Sequence, residues 1–171
     1  MRTSIDFDGF EALADKLGEM SPELLQNAVI GLKKGLKPIE RDAKKLCPVD
    51  TGELRSSIRS TVQEYSTLAI GKVGTPKKYG VYVEMGTGEV GRKSGGDGSG
   101  KHVSYRTGAW FVPLPRGEVM MGDTIVEDGS AGFMTRGQPA RPYLYPAFKA
   151  NKKRVLAAIR REVMKGVQGD G

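Results

Sequence analysis

The sequence predicts an α+β fold: a small antiparallel sheet flanked by N-terminal helices and a C-terminal helix, with a long glycine-rich loop. Three observations predict it. Apolar residues recur at helical spacing towards both ends of the chain, period-two runs lie between them, and a glycine cluster follows those runs. At 171 residues the chain fits a single domain, 1–171, with 88–137 as a long loop or insertion and 166–171 as a frayed tail.

Residues 5–20, IDFDGFEALADKLGEM, place Phe10, Leu13 and Leu17 on one face of a short amphipathic helix. Ser21, Pro22 and Glu23 then supply a hydroxyl cap, a proline for the first turn and an acid at the positive helix end. The second helix runs to about Leu46, with Leu25, Val29, Leu32, Leu36, Ile39, Ala43 and Leu46 in one stripe. Pro38 interrupts it and is expected to kink or divide the helix near Lys37.

The stretch CPVDTGELRSSI, 47–58, reads as a corner. Pro48 cannot continue the helix. Asp50 is expected to cap a new one, with Glu53 three residues on completing an acidic capping box and Val49 and Leu54 placed as a staple. Thr51, Gly52 and Arg55 complete the turn. A structural role explains these residues better than a catalytic one.

Strands are expected at 60–64, 68–73 and 78–85, the last from the alternation of Val81, Val83 and Met85 with Tyr82 and Glu84. They would form a meander, with Tyr82, Glu84, Gly86 and Thr87 as a sheet-edge and turn network. The polar, glycine-rich run 88–102 reads as a mobile loop. Short strands are expected at 109–112 and 124–126 inside a long excursion to residue 137. Pro139, Pro142 and Pro146 then lead into a last helix ending near Lys165, with Leu144, Phe148, Val155, Ile159 and Val163 as its apolar stripe.

Twenty-seven basic against 20 acidic residues give a formal charge of +7. That charge fits an acidic partner or an ordinary basic surface equally well. Lys149, Lys152, Lys153, Arg154, Arg160 and Arg161 concentrate it on the last helix, as a candidate contact for DNA or an acidic protein. The aromatic interleaving of single-strand binders is missing there. Trp110, Phe111, Pro142, Tyr143 and Leu144 are the candidate interface anchors.

Catalytic and cofactor chemistry find little support. The single histidine, His102, sits in the glycine-rich run, and the single cysteine, Cys47, reads as a buried structural thiol. One of each gives no zinc spacing. GGDGSGK, ending at Lys101, lacks the Ser/Thr and the strand–helix frame of a phosphate loop. A metal-dependent nuclease using Asp50 and Glu84 is the weakest of the alternatives. No metal, cofactor or catalytic residue is expected. No apolar run reaches the roughly 18 residues that span a bilayer, and no secretory signal is visible. A lone cysteine also fits a reducing compartment.

Three stretches in order, PVDTGELRSSI (48–58), YVEMGT (82–87) and GQPARPYLYPAF (137–148), resemble the gene-product-ten-like tail components of long-tailed bacteriophages. Ala43-Lys44, Pro48, Asp50-Thr51-Gly52, Leu54-Arg55, Glu84-Met85-Gly86-Thr87 and 142–147 fill the places of that pattern, over about 20–165. The loop 88–137 is long for it. The resemblance implies a non-enzymatic neck protein for head–tail joining or tail completion. It would form a homo-oligomeric ring around the DNA channel, between head-closure or connector and tail proteins, in the virion after assembly in the host cytoplasm. A small basic nucleic-acid-binding protein is the alternative.

Overall fold

A computed structural model describes residues 3–4, 22–66, 68–100, 103–114, 125–127 and 130–169. The helix expected at 5–20, its neighbour Ser21, and His102 lie outside them. The elements are β1 (Thr3–Ser4), α1 (Pro22–Leu46), α2 (Glu53–Ser57), β2 (Arg59–Glu64), β3 (Ala69–Thr75), α3 (Gly80–Met85), α4 (Gly88–Lys93), β4 (Trp110–Pro113), β5 (Ile125–Glu127), β6 (Ser130–Thr135) and α5 (Leu144–Gly169). The fold class is α+β, as expected, with two small antiparallel sheets in place of one. The chain divides into two compact units, 1–81 with 142–171, and 82–141.

In the first unit α1 and α5 form the framework. The predicted stripe of α1 is buried at Val29, Leu32, Leu36, Ile39 and Ala43, and the helix also buries Ala28, Gly31 and Gly35. The two glycines are where α5 crosses. A Cβ built on Gly31 would lie 2.5 Å from the Ile159 Cα, and one on Gly35 would lie 2.9 Å from the Val155 Cα. A Cβ on Gly166 would fall on the Asn27 side-chain amide. Positions rise along α1 as they fall along α5, so the helices are antiparallel. Asn151, 1% exposed, ties the far end by donating to Asp42 Oδ2 at 2.8 Å and to the Ala147 carbonyl at 2.9 Å. Hydrogen bonds from Asn151 and then Arg41 hold the Asp42 carboxyl below its usual range.

Pro38 does not divide α1, which runs unbroken from Pro22 to Leu46. The proline is half-buried and Lys34, whose carbonyl loses its N–H partner, is exposed. Leu36 and Ile39, on either side of the proline, are anchored in the core and hold the helix together there.

The first sheet has the order β1–β3–β2. β2 and β3 form the expected hairpin, from Arg59↔Gly74 to Glu64↔Ala69, and close it with the Tyr65 N–H donating to the Leu68 carbonyl. The third strand is Thr3–Ser4, paired with Thr75 and Gly74, and not the run 78–85. Gly71 of β3 leaves room for Leu32 and Leu36 of α1, whose methyls come within 2.9 Å of where its Cβ would be.

Glu40 joins helix and sheet. Its Oε2 accepts from the Ser60 N–H at 2.9 Å and the Ser60 hydroxyl at 2.6 Å, and its Oε1 accepts from Lys44 at 2.7 Å. Burial alone would push this carboxyl up. The Lys44 and Ser60 hydrogen bonds, with the Lys44 charge, outweigh that and hold it at about 2. A folded-state value below the unfolded one, 4.5, gives stability that is present above pH 4.5 and lost as the pH falls towards 2. The contribution at neutral pH is roughly 2 kcal/mol, discounted for the water around Lys44. Glu40→Gln is therefore expected to lower the melting temperature at pH 7, with the difference from the parent chain shrinking as the pH falls below 4.5 and lost below about 2. Thermal melts followed by circular dichroism across that range check this.

The second unit carries the sheet β4–β6–β5, from Trp110↔Thr135 to Glu127↔Ser130. The span 88–137 was expected as a loop with two short strands. It holds both of those strands, at 110–113 and 125–127, together with α4 and β6. The Phe111 ring packs where a Cβ on Gly132 would stand, a close approach that only a glycine allows. In the glycine-rich run the Asp97 carboxylate accepts from the Ser99 N–H at 2.8 Å, an Asx-type turn that composition alone does not reveal.

Candidate assembly surfaces

The corner after α1 forms as expected in outline. α1 stops at Leu46, Cys47 is buried at 3% exposure with its Sγ on the Pro48 carbonyl, and a new helix begins at Glu53. The cap differs. Gly52, at φ 83°, is the N-cap residue of α2 and no side chain caps it. Asp50 is exposed and plays no capping part. Thr51 Oγ1 lies 3.4 Å from the Glu53 N–H it accepts. With Gly52 at the N-cap, Asp50 stands two residues before it and the capping box does not form. The staple is absent too, since Val49 is 52% exposed and Leu54 is buried.

Glu53 instead pairs across the unit. Lys77 Nζ donates to its Oε2 at 2.7 Å, and that hydrogen bond, then the lysine charge, lowers the Glu53 carboxyl and raises the Lys77 ammonium. Ser57 and Thr75 share a 2.6 Å hydroxyl contact, so the end of α2 is tied to the end of β3. Asp50, Thr51, Glu53 and Arg55 thus stand together on an exposed polar corner over the buried Leu54 and Ile58.

The run 80–85 is helical, which corrects the sheet-edge assignment of Tyr82 and Glu84. Over six residues, alternation and a helical turn are hard to tell apart. The burial is helical: Gly80 and Glu84, four apart, are inside and Tyr82 is 55% exposed. The deciding contacts come from far along the chain. The last carbonyls of α3 are orphans of any helix end. Here the Tyr82 carbonyl accepts from Gln138 Nε2 at 3.0 Å, Val83 from the Arg141 N–H at 2.8 Å, and Met85 from the Tyr105 hydroxyl at 2.9 Å.

The turn half of that network, Gly86 and Thr87, is a turn in the structure and has a partner the sequence did not reveal. The Thr87 N–H donates to the Gln138 carbonyl at 2.9 Å, and Thr87 Oγ1 accepts from the Gln138 N–H at 3.0 Å. The Val90 N–H reaches the Arg136 carbonyl, and Ser94 Oγ accepts from the Ala140 N–H. Two of the motif stretches therefore clasp each other within the second unit. Gly86, Gly88 and Gly137 have φ of 75°, 59° and 103°. A Cβ on Gly137 would fall on the Thr87 carbonyl, and one on Gly88 on the Arg136 carbonyl. Beside the clasp, Glu89 accepts from the Gly108 N–H at 3.1 Å; this bond, and the Arg136 guanidinium 3.5 Å away, keep its carboxyl low.

Of the proposed anchors, Tyr143 and Leu144 are 0% and 2% exposed. They are core residues of the first unit, so they are corrected as interface candidates. Tyr143 closes on Gly80 through a long 3.4 Å hydrogen bond to its carbonyl. Pro142 is half-buried. Trp110 and Phe111 are half-buried strand residues, with the Arg106 guanidinium 5.2 Å from the Trp110 ring centre.

The basic face of α5 is exposed as expected. Lys149, Lys152, Lys153, Arg154, Arg160 and Arg161 all face solvent. Arg154 reaches Asn151 Oδ1 at 3.3 Å. For the other five, no carboxylate among the described residues lies within ion-pair distance. Sequence reading missed the apolar members of this face, Leu156, Met164 and Val167. Among the described residues no helix is long and apolar enough to cross a membrane, and no group of three acidic, histidine or cysteine side chains could hold a metal ion.

Residues 11–86 match the family model described as "Bacteriophage HK97-gp10, putative tail-component". The matched span contains α1, the corner, the β2–β3 hairpin and α3; the third motif, 137–148, lies outside it. No curated protein and no solved structure matches the chain. Over the helix, corner and hairpin, fewer than half of its residues, the chain is similar to that family.

Proposed function

We propose that this protein is a structural component of the phage neck, a ring-forming head–tail joining or tail-completion protein. The family match over 11–86 carries the reading, because it supports a structural role in the phage tail. The surfaces agree with it. An exposed polar corner, a clasped turn and a long basic helix face are features of a scaffold that meets neighbours. Ring assembly needs two different patches per subunit, and closure follows when the rotation between copies closes. The corner of Asp50, Thr51 and Arg55, the strand residues Trp110 and Phe111, and Pro142 are the patches assigned to neighbouring copies or to the connector and tail proteins. The cations of α5 face an acidic neighbour or DNA in the channel.

A null mutation in the gene is expected to yield filled heads without attached tails, or tails of normal length left incomplete, in negative-stain images of the lysate. A tagged copy supplied in trans should restore joined particles, with label at the head–tail junction. Label along the tail shaft or at its distal tip would defeat the neck assignment.

A further inference from the structure

The outer stripe of α5 has a composition that neither the core nor the motifs explain. Lys149, Lys153, Leu156, Arg160, Met164 and Val167 follow one another at steps of three or four, on the face opposite the buried Val155, Ile159 and Glu162. Leu156, Met164 and Val167 are 41%, 49% and 55% exposed. The flanking Lys152 and Arg161 add two more cations with no carboxylate at ion-pair distance among the described residues. Apolar residues set among unpaired cations form a surface for an acidic amphipathic partner. A nucleic-acid backbone would give Leu156, Met164 and Val167 nothing to bury against.

One segment of this chain has that chemistry. Residues 5–20 carry Asp6, Asp8, Glu11, Asp15 and Glu19 against a single Lys16, and alternate them with Ile5, Phe7, Phe10, Leu13, Leu17 and Met20. At helical rise, 16 residues cover about 24 Å, close to the roughly 27 Å from Lys149 to Val167. We propose that the stripe of α5 receives the acid-rich segment 5–20 of a second copy of this chain. Each copy then offers one donor segment and one acceptor stripe, a head-to-tail contact of the kind that builds rings. The inference rests on the reading that copies of this chain assemble.

The test uses full-length protein. Isotopically light and heavy copies are mixed in equal amounts and treated with a carbodiimide, which joins a carboxylate to an amine without a spacer. Light–heavy peptide pairs linking the acids of 5–20 to Lys149, Lys152 or Lys153 are expected. Pairs of one isotope only, links from these lysines to other acids, or no links overturn the proposal. In sedimentation, Lys153→Glu with Arg160→Glu should weaken self-association at least about tenfold. Adding Glu11→Lys and Asp15→Lys to the same chain should restore most of it, and failure to do so also overturns the proposal. Association that persists without the expected links removes this contact and leaves ring assembly standing. A chain that stays monomeric at every concentration reached overturns the contact, and labelled particles then judge the ring.

Discussion

Gly31→Val is expected to lower the melting temperature of the first unit by roughly 10 °C. The Cβ alone would stand 2.5 Å from the Ile159 Cα and 2.9 Å from the Ala158 carbonyl oxygen. Both are backbone atoms of α5, so no side-chain rotation relieves the overlap. α5 must move away, and it would take Val155 and Ile159, 1% and 7% exposed, with it. Overpacking of this kind costs about 3 kcal/mol. The better helix propensity of valine returns only a few tenths of a kcal/mol. At about 2–4 °C per kcal/mol for a chain of this size, the shift is readily measured. Gly35→Ala should follow the same direction with a smaller loss, because part of its contact is with the Val155 side chain. Gln26→Val, on the exposed face of the same helix, should stay within about 0.5 kcal/mol. A Gly31→Val chain melting with the parent would mean that the helices do not cross there.

Gly137→Ala should open the clasp of the second unit. The residue sits at φ 103°, where an L side chain is strained, and its Cβ would fall on the Thr87 carbonyl. The conformational cost is about 1–2 kcal/mol. Separation of the two segments then removes the reciprocal Thr87–Gln138 bonds, at about 1 kcal/mol each. Hydrogen exchange reads the result directly. The Thr87 and Val90 amides, which donate to Gln138 and Arg136, should lose protection by about a hundredfold, while those of the β2–β3 hairpin keep theirs. Gly52→Ala is the matched control. It has the same kind of backbone at φ 83°, but nothing lies within 4 Å of the added carbon. Its loss should be the conformational part alone. Equal effects at 52 and 137 would show that close approach plays no part in the clasp.

The contrast between those glycines also marks what the amino-acid sequence could reveal. α1 and α5 were legible because their stripes are long and their periodicity is carried by leucine, valine and isoleucine. The hairpin was legible from alternation. Gly31 and Gly35 stand in GLKKGL, four apart, and this small-residue spacing was a readable sign of a close helix crossing, hidden because glycine adds nothing to an apolar stripe. The corner was legible from Pro48, but the cap was not, since the choice between Asp50 and Gly52 turns on one backbone angle. α3 was misread because its end is satisfied by Gln138, Arg141 and Tyr105, between 20 and 58 positions away from their acceptors. The basic face was visible in the sequence. Its interspersed Leu156, Met164 and Val167 became meaningful only once α5 was seen to bury its opposite side.

The clasp makes 82–141 a cassette. Its second and last residues are already held together by the Val83–Arg141 bond, so the ends do not depend on what lies between them. The entropy of closing a loop grows only with the logarithm of its length, about 0.6 kcal/mol per doubling. Sequence between Leu114 and Ile125 can therefore be lengthened or trimmed at a cost of that order while the Thr87–Gln138 and Val83–Arg141 bonds stay in place.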